Sequence, residues 1–311
     1  LQKIEGIVTA MVTSFKDDRS LDIDALRRAA RYQIDNGVNG VCVLGSTGEP
    51  HAMTVDEHKR VIDAVVTEVA GRITVTAGTL LARQDDIVEC GRHARSCGAD
   101  AIMVIAPSFV MTKPSQIRGH FEAIAEKVDM PMVLYHGPSR SGVRLDAQTI
   151  LGLIDAVPRF VAVKETSGDL ALTAELLRSA TPGIRVLQGF DELVLPALAL
   201  GAHGAMLSLG GLIPKLFQRL ARSVAQDDLA TARRLQLGIL PLCRAVYAEP
   251  NPGPLKLALA LAGRPAGPTR PPLDAPAPEV RALLERLVAQ ILEVEAQSAR
   301  ADATVNAAAA A

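Results

Sequence analysis

The sequence predicts an α/β fold, a (β/α)8 TIM barrel that continues into a carboxyl-terminal helical extension. Three observations carry this expectation. Short apolar, β-branched runs alternate strictly with stretches of helical spacing, which implies a parallel sheet with right-handed crossovers, either opened as a doubly wound sheet or closed as a barrel. Eight strand-and-helix repeats are present, and eight favours closure. The chain has 311 residues, 49% of them hydrophobic, enough for a barrel of about 250 residues and an extension.

From the front, residues 4–12 read as the first strand. Residues 21–34 follow as a helix with Ile23, Leu26, Ala30 and Ile34 on one face and Asp22 or Asp24 as its cap. A short buried strand over 41–44 runs into the loop Gly45-Ser46-Thr47-Gly48-Glu49, and a helix spans 55–69. The cycle repeats with strands over 73–77, 101–106, 132–135, 160–164, 184–188 and 202–207. Helices are expected over 84–97, 115–127, 146–156, 171–180, 191–200 and 214–225. Gly37, Gly98, Gly183 and Gly201 stand ahead of strands, where helix ends are expected. No Gly-x-Gly-x-x-Gly follows the first strand, as a dinucleotide fold would require.

Helical spacing continues past residue 227 to about residue 247, a Pro/Gly-rich break covers 249–254, and a short helix covers 255–261. Residues 264–278 are proline-rich and extended. A last helix carries Val280, Leu284, Leu287 and Ile291 on one side. The organisation expected is therefore a barrel over 1–226, an extension packed on it over 227–300, and a tail over 301–311.

Composition narrows the function. With 33 Lys and Arg against 34 Asp and Glu, the chain lacks the basic footprint of a nucleic-acid binder. Cys42, Cys90, Cys97 and Cys243 fit neither a zinc spacing nor a small disulfide framework and read as thiols of a reducing compartment. His51, His58 and His93 match no ligand set and are expected on the surface or on helix faces, so no metal is expected. There is no amino-terminal signal and no apolar run of membrane-spanning length, so a soluble cytoplasmic protein is the expectation.

In such a barrel the chemistry gathers at the carboxyl ends of the strands. Lys164 ends the apolar run that begins at Phe160. A lysine there either reaches water along its stem or is desolvated until its amine can attack a carbonyl carbon. Neutrality near pH 7 needs a fall of roughly three pKa units, about 4 kcal/mol of environment. The turn Gly45-Ser46-Thr47-Gly48-Glu49 offers backbone N–H groups and two hydroxyls to an anion such as a carboxylate, or is simply a capped turn into a helix. Tyr135, at the end of the fifth strand, is either a proton carrier beside the lysine or a packed core residue.

Together these three stretches resemble the pyruvate-dependent class I aldolase family that contains dihydrodipicolinate synthase and N-acetylneuraminate lyase. The likeness runs from Thr9-Ala10-Met11-Val12-Thr13 to Glu249-Pro250-Asn251-Pro252 and Lys256. The resemblance implies that Lys164 forms a Schiff base with pyruvate and that Tyr135, with Thr47, relays protons. It implies that Ser46 and Thr47 hold the pyruvate carboxylate, and that no cofactor beyond the covalent imine is needed. It also implies an oxo acid and an aldehyde as substrates and a homotetramer built from two tight dimers.

Specificity signals in the resemblance diverge. Arg140 stands where the synthases place an arginine that grips the aldehyde substrate's carboxylate. Ser46, Gly189, Asp191, Glu192 and Ser208 look more like the lyases, in which the acidic pair and the serine bind sugar hydroxyls. Asp191 could instead cap its helix. A 2-keto-3-deoxy sugar-acid aldolase or dehydratase, and an oxo-acid-binding module without turnover, are the remaining alternatives. The chain also departs from the synthases in the loop after strand four. Pro107-Ser108-Phe109 replaces a Pro-Tyr-Tyr pattern, about two extra residues precede Pro114, and no tyrosine lies between Tyr32 and Tyr135. Phe109 cannot carry the proton that a neighbouring subunit's phenol would supply there. The apolar Phe109, Val110 and Met111 suit burial against a partner.

Overall fold

The computed structural model describes residues 3–309 apart from 109 and 111, with side chains described through residue 297. The expectations placed on Phe109 and Met111 therefore lie outside the described residues. Val110, between them, is 54% exposed.

Eight strands close into one parallel barrel in chain order. They are β1 (Gly6–Ala10), β2 (Gly40–Val43), β3 (Thr74–Gly78), β4 (Ala101–Ile105), β5 (Met132–His136), β6 (Phe160–Glu165), β7 (Arg185–Gln188) and β8 (Gly204–Leu207). Closure is made by β1 against β8, with Gly6 opposite Gly204 and Thr9 opposite Leu207. The outer wall is formed by α1 (Ile23–Asp35), α2 (Val55–Val69), α3 (Gln84–Cys97), α4 (Pro114–Val128), a short α5 (Pro138–Ser141), α6 (Ala147–Ala156), α7 (Leu170–Ser179), α8 (Val194–Ala199) and α9 (Pro214–Ala225). Local signals set the helix starts: Asp22 accepts the Ala25 N–H, and Thr54 and Glu57 form a capping box at α2.

Strand periodicity sorts the side chains into two layers. Val8, Ala10, Cys42, Met103, Val133, Ala162, Leu187 and Met206 fill the barrel interior. Their alternate neighbours Val41, Val43, Val104, Leu134, Val163 and Val186 pack under the helices. Because successive strand residues point to opposite sides, Tyr135 after Val133, Lys164 after Ala162 and Ser208 after Met206 continue the inward rows. All three stand at the carboxyl end of the barrel.

The extension comprises α10 (Leu229–Val246), α11 (Gly253–Leu261), an irregular strap over 264–277 and α12 (Pro278–Ala309). Leu235, Ile239, Leu242, Leu255, Leu284, Val288 and Ile291 share one core with Ile7 of β1, Ala205 and Leu207 of β8, and Phe217 of α9. The extension is thus continuous with the barrel core. Its last helix runs on through residues 301–309, which the sequence reading sets apart as a tail. No helix among the described residues is long and apolar enough to cross a membrane.

Two local expectations are corrected. The helix expected over 191–200 divides into a 3-10 turn, Asp191–Leu193, followed by α8; Pro196 lacks an N–H and is tolerated in the first turn of a helix that starts at Val194. Part of the stretch after Tyr135, to which the sequence reading assigns no element, forms α5, opened by Pro138 and closed by Gly142 in the left-handed region. His58 lies on α2 but is buried, and its Nε2 bonds to the Pro50 carbonyl, so it pins a turn instead of standing at the surface.

Candidate active site

The inward ends of β5, β6 and β8 open into a cavity of about 430 Å3. Ser46, Thr47, Tyr135, Arg140, Lys164, Gly189, Asp191, Glu192 and Ser208 all line it, so the structure brings these nine candidates to one place. Tyr135 and Lys164 are register partners on neighbouring strands. Lys164 is only 5% exposed, and its Nζ stands 4.7 Å from the centre of the Tyr135 ring. Gly189 is required by this packing: a Cβ there would lie 2.1 Å from Thr166 Oγ1 and 3.0 Å from Lys164 Cε. Its place at the cavity is a clearance for the lysine.

The backs of the two strands are braced. His136 and Glu165, one residue beyond Tyr135 and Lys164, are both buried and meet at 3.1 Å through Nδ1 and Oε1. The Leu145 N–H donates to His136 Nε2, which assigns the proton to Nδ1 and makes it the donor to Glu165. The Ser167 N–H also donates to Glu165 Oε1, at 2.7 Å. These bonds fix the strand ends from which the phenol and the amine project.

The turn Ser46–Gly48 is a single 3-10 turn, flanked by Leu44 and Glu49, both in the left-handed region with φ of 59° and 56°. Such conformations cost non-glycine residues energy and persist where the surroundings hold them. Here the holding contacts are explicit. Glu49 is fully buried, its Oε1 is 2.7 Å from Lys256 Nζ, and its Oε2 accepts the Arg270 N–H. Lys256 also donates to the Pro268 carbonyl and lies over the Phe15 ring. Arg270 grips Glu57 through both guanidinium arms. The strap of the extension thus anchors the turn that carries Ser46 and Thr47.

Thr47 is the centre of a hydroxyl network. Its Oγ1 is 2.9 Å from Ser208 Oγ and accepts from Asn251 Nδ2 at 3.0 Å. The Tyr247 hydroxyl, close to Ser208, donates to Asp191 Oδ2 at 3.1 Å. Asp191 Oδ1 accepts the Leu209 N–H, so both carboxylate oxygens are partnered, and the Asp191 side chain tethers the loop after β8 instead of capping its own helix. Burial pushes the Asp191 carboxyl up to about 6, against the opposing pull of Leu209 N–H, the Tyr247 hydroxyl and the charge on Lys164. Burial and the same carboxylate raise the Tyr247 phenol well above its ordinary value. Tyr247 nevertheless shows 38% of its surface, at the cavity wall. Arg140 and Glu192 are exposed at the mouth.

The chain matches the model of the dihydrodipicolinate synthetase family over residues 3–291. It belongs to that family. A 4-hydroxy-tetrahydrodipicolinate synthase of Methanocaldococcus jannaschii is 37% identical over 286 residues, covering 91% of this chain and 97% of the relative. The enzyme of the same name from Pelobacter propionicus is 38% identical over 271 residues, with 86% and 92% covered. Among solved structures, the 4-hydroxy-tetrahydrodipicolinate synthase of Methylacidiphilum fumariolicum SolV superposes with a TM-score of 0.91 at 29% identity, covering 96% of this chain and 99% of that one. Membership of this family makes the chain an enzyme of the pyruvate-dependent Schiff-base lyase class, as the sequence motifs imply.

Sequence reasoning missed Tyr247, Asn251 and the His136–Glu165 brace. Asn251 had a signal in the Glu249-Pro250-Asn251-Pro252 motif, and His136 and Glu165 adjoin the two residues of greatest interest. Tyr247 had none: it closes a helix more than a hundred residues from Tyr135.

Proposed function

We propose that the protein condenses pyruvate with an aldehyde bearing a distal carboxylate, in the manner of a dihydrodipicolinate synthase. The observation that carries this reading is the pairing of Lys164 with Tyr135 in register at the head of the barrel, beside the Ser46–Thr47 turn. Lys164 Nζ attacks the C2 carbonyl of pyruvate, the carbinolamine loses water, and the resulting iminium draws electrons from the adjacent methyl. Loss of a methyl proton gives an enamine, whose carbon attacks the aldehyde; hydrolysis of the new imine returns the free lysine and releases the product. Ser46, Thr47 and the backbone N–H groups of their turn hold the pyruvate carboxylate. Tyr135 carries protons to and from the carbinolamine oxygen. Arg140, exposed at the mouth, takes the carboxylate of the aldehyde through its planar fork.

The hydroxyl chain from Thr47 through Ser208 to Tyr247 is the second half of the proton route in this reading. It lies within one chain and ends on a phenol at the cavity wall. The sugar-acid alternative loses ground on one geometric point: Asp191, which would accept a polyol hydroxyl, already has both oxygens engaged. Glu192 and Ser208 are then the acceptors left for such a substrate. The reading includes a homotetramer of two tight dimers and a cytoplasmic location, supported by the kinship with the synthases.

Borohydride reduction in the presence of pyruvate tests the chemistry. A mass increase on the Lys164 peptide, absent in Lys164→Ala, is expected, with turnover lost and the fold kept. Pyruvate binding without any trapped adduct would identify an oxo-acid-binding module and end the enzymatic reading. A panel of aldehydes and keto acids then ranks the second substrate, and light scattering reads the assembly.

A further inference from the structure

On the outer wall of the barrel, apart from the cavity residues, three unlike metal-binding side chains converge. His93 and Cys97 stand four residues apart on α3, which places them on one face of the helix, and Asp63 reaches them from α2. His93 Nε2 is 2.8 Å from Asp63 Oδ1, Cys97 Sγ is 2.9 Å from the same oxygen, and the sulfur and the imidazole nitrogen are 3.4 Å apart. Among the described residues this is the one group of three such donors gathered closely enough to share an ion.

We propose that Asp63, His93 and Cys97 form a binding site for a zinc-class divalent cation that ties α2 to α3. The donor set of one sulfur, one nitrogen and one oxygen suits a borderline-soft ion and leaves a fourth position for water. Bond lengths of about 2.0 to 2.3 Å in a tetrahedron put neighbouring donors roughly 3.3 to 3.6 Å apart. The sulfur–nitrogen edge already has that length, and the two edges to Asp63 have to open by only about half an ångström. Charge balances as well: a thiolate and a carboxylate with a neutral imidazole cancel a double positive charge.

The setting favours an ion over a mere hydrogen-bonded cluster for two further reasons. Cys97 is the last residue of α3, fixed by the Gly98 cap, and His93 lies one turn back, so both donors sit on a rigid element. Of the four cysteines, Cys97 alone is partly exposed, so an ion reaches it from solvent while Cys42, Cys90 and Cys243 stay sealed. Without an ion the thiol is held protonated: burial and the neighbouring Asp63 push it up to about 11. A cation would displace that proton and bond the thiolate.

The test uses the metal-stripped full chain titrated with zinc against a chromophoric chelator, and with cobalt to look for thiolate-to-metal charge transfer. The expected result is one zinc per chain with a dissociation constant of about 1 μM or below. Binding should be weakened by about 10²-fold or more in Cys97→Ser and in His93→Ala. Calorimetry in buffers of different ionisation enthalpy should show about one proton released per zinc. All three side chains lie at the surface or partly exposed, so the variants fold, and circular dichroism checks that they do. Equal zinc affinity in the wild-type and Cys97→Ser chains, or cobalt binding without a thiolate band, would overturn the site and leave adventitious surface binding.

Discussion

The ε-ammonium of Lys256 lies 2.7 Å from Glu49 Oε1, with the two side chains 3% and 0% exposed. The pair joins α11 to the turn that carries Ser46 and Thr47, and Glu49 is held in the left-handed region while it does so. Removing one partner of a buried pair strands the other charge, which costs about 3–5 kcal/mol. Lys256→Met should therefore lower unfolding free energy by that order in urea titrations, and should weaken pyruvate binding in the fraction that remains folded. A loss under about 1 kcal/mol would show that the pair does not hold the turn.

Tyr247→Phe deletes a hydroxyl from the cavity wall and keeps the ring. If the Tyr247–Ser208–Thr47 chain moves protons, turnover should fall by roughly 10²-fold while borohydride trapping of pyruvate persists. Asp191 loses a donor that favours its ionised form, so the acid limb of the pH–rate profile should move to higher pH. An unchanged profile with unchanged turnover would confine Tyr247 to packing.

The Asp191 carboxyl also sets a stability prediction. Its pKa in the fold, about 6, exceeds the ordinary value of 3.8, so the folded state binds this proton more tightly than the unfolded chain does. The group's favourable contribution is complete below about pH 4 and is lost as pH rises through 6, amounting to on the order of 3 kcal/mol. Asp191→Asn should flatten the part of the melting-temperature profile between pH 4 and 6. A variant whose profile parallels the wild type across that window would contradict the assignment.

Arg140 offers a prediction that separates the two substrates. Arg140→Ala should raise KM for a carboxylate-bearing aldehyde by about 10-fold or more, the value of one charge-assisted pair, and leave the pyruvate KM nearly unchanged. Equal effects on both would move Arg140 from the acceptor to the pyruvate carboxylate.

The sequence made the barrel legible because strands buried on both faces announce themselves as continuous apolar runs, and because α2, α3 and α9 carry clean amphipathic spacing; their limits match the expected 55–69, 84–97 and 214–225. The Lys164–Tyr135 pair was legible because strand ends in this architecture point at the cavity. What stayed hidden depended on distance along the chain. Whether Asp191 caps its own helix or ties down Leu209 is decided by a backbone N–H 18 residues later. The Asp63, His93 and Cys97 cluster was hidden for the same reason, since a spacing rule applied to histidines and cysteines along one stretch of sequence misses a ligand supplied by the preceding helix.

Thr47 and Asn251 share a hydrogen bond across 204 residues of chain. Loops of that length close with a modest added entropic cost, but only once both ends exist. During synthesis, the eight strands can be complete before Asn251 and the strap around Arg270 have left the ribosome. The Ser46–Thr47 turn is then unbraced while Lys164 is already present. The order of the chain thus gives a maturing molecule a barrel first and a braced pocket last.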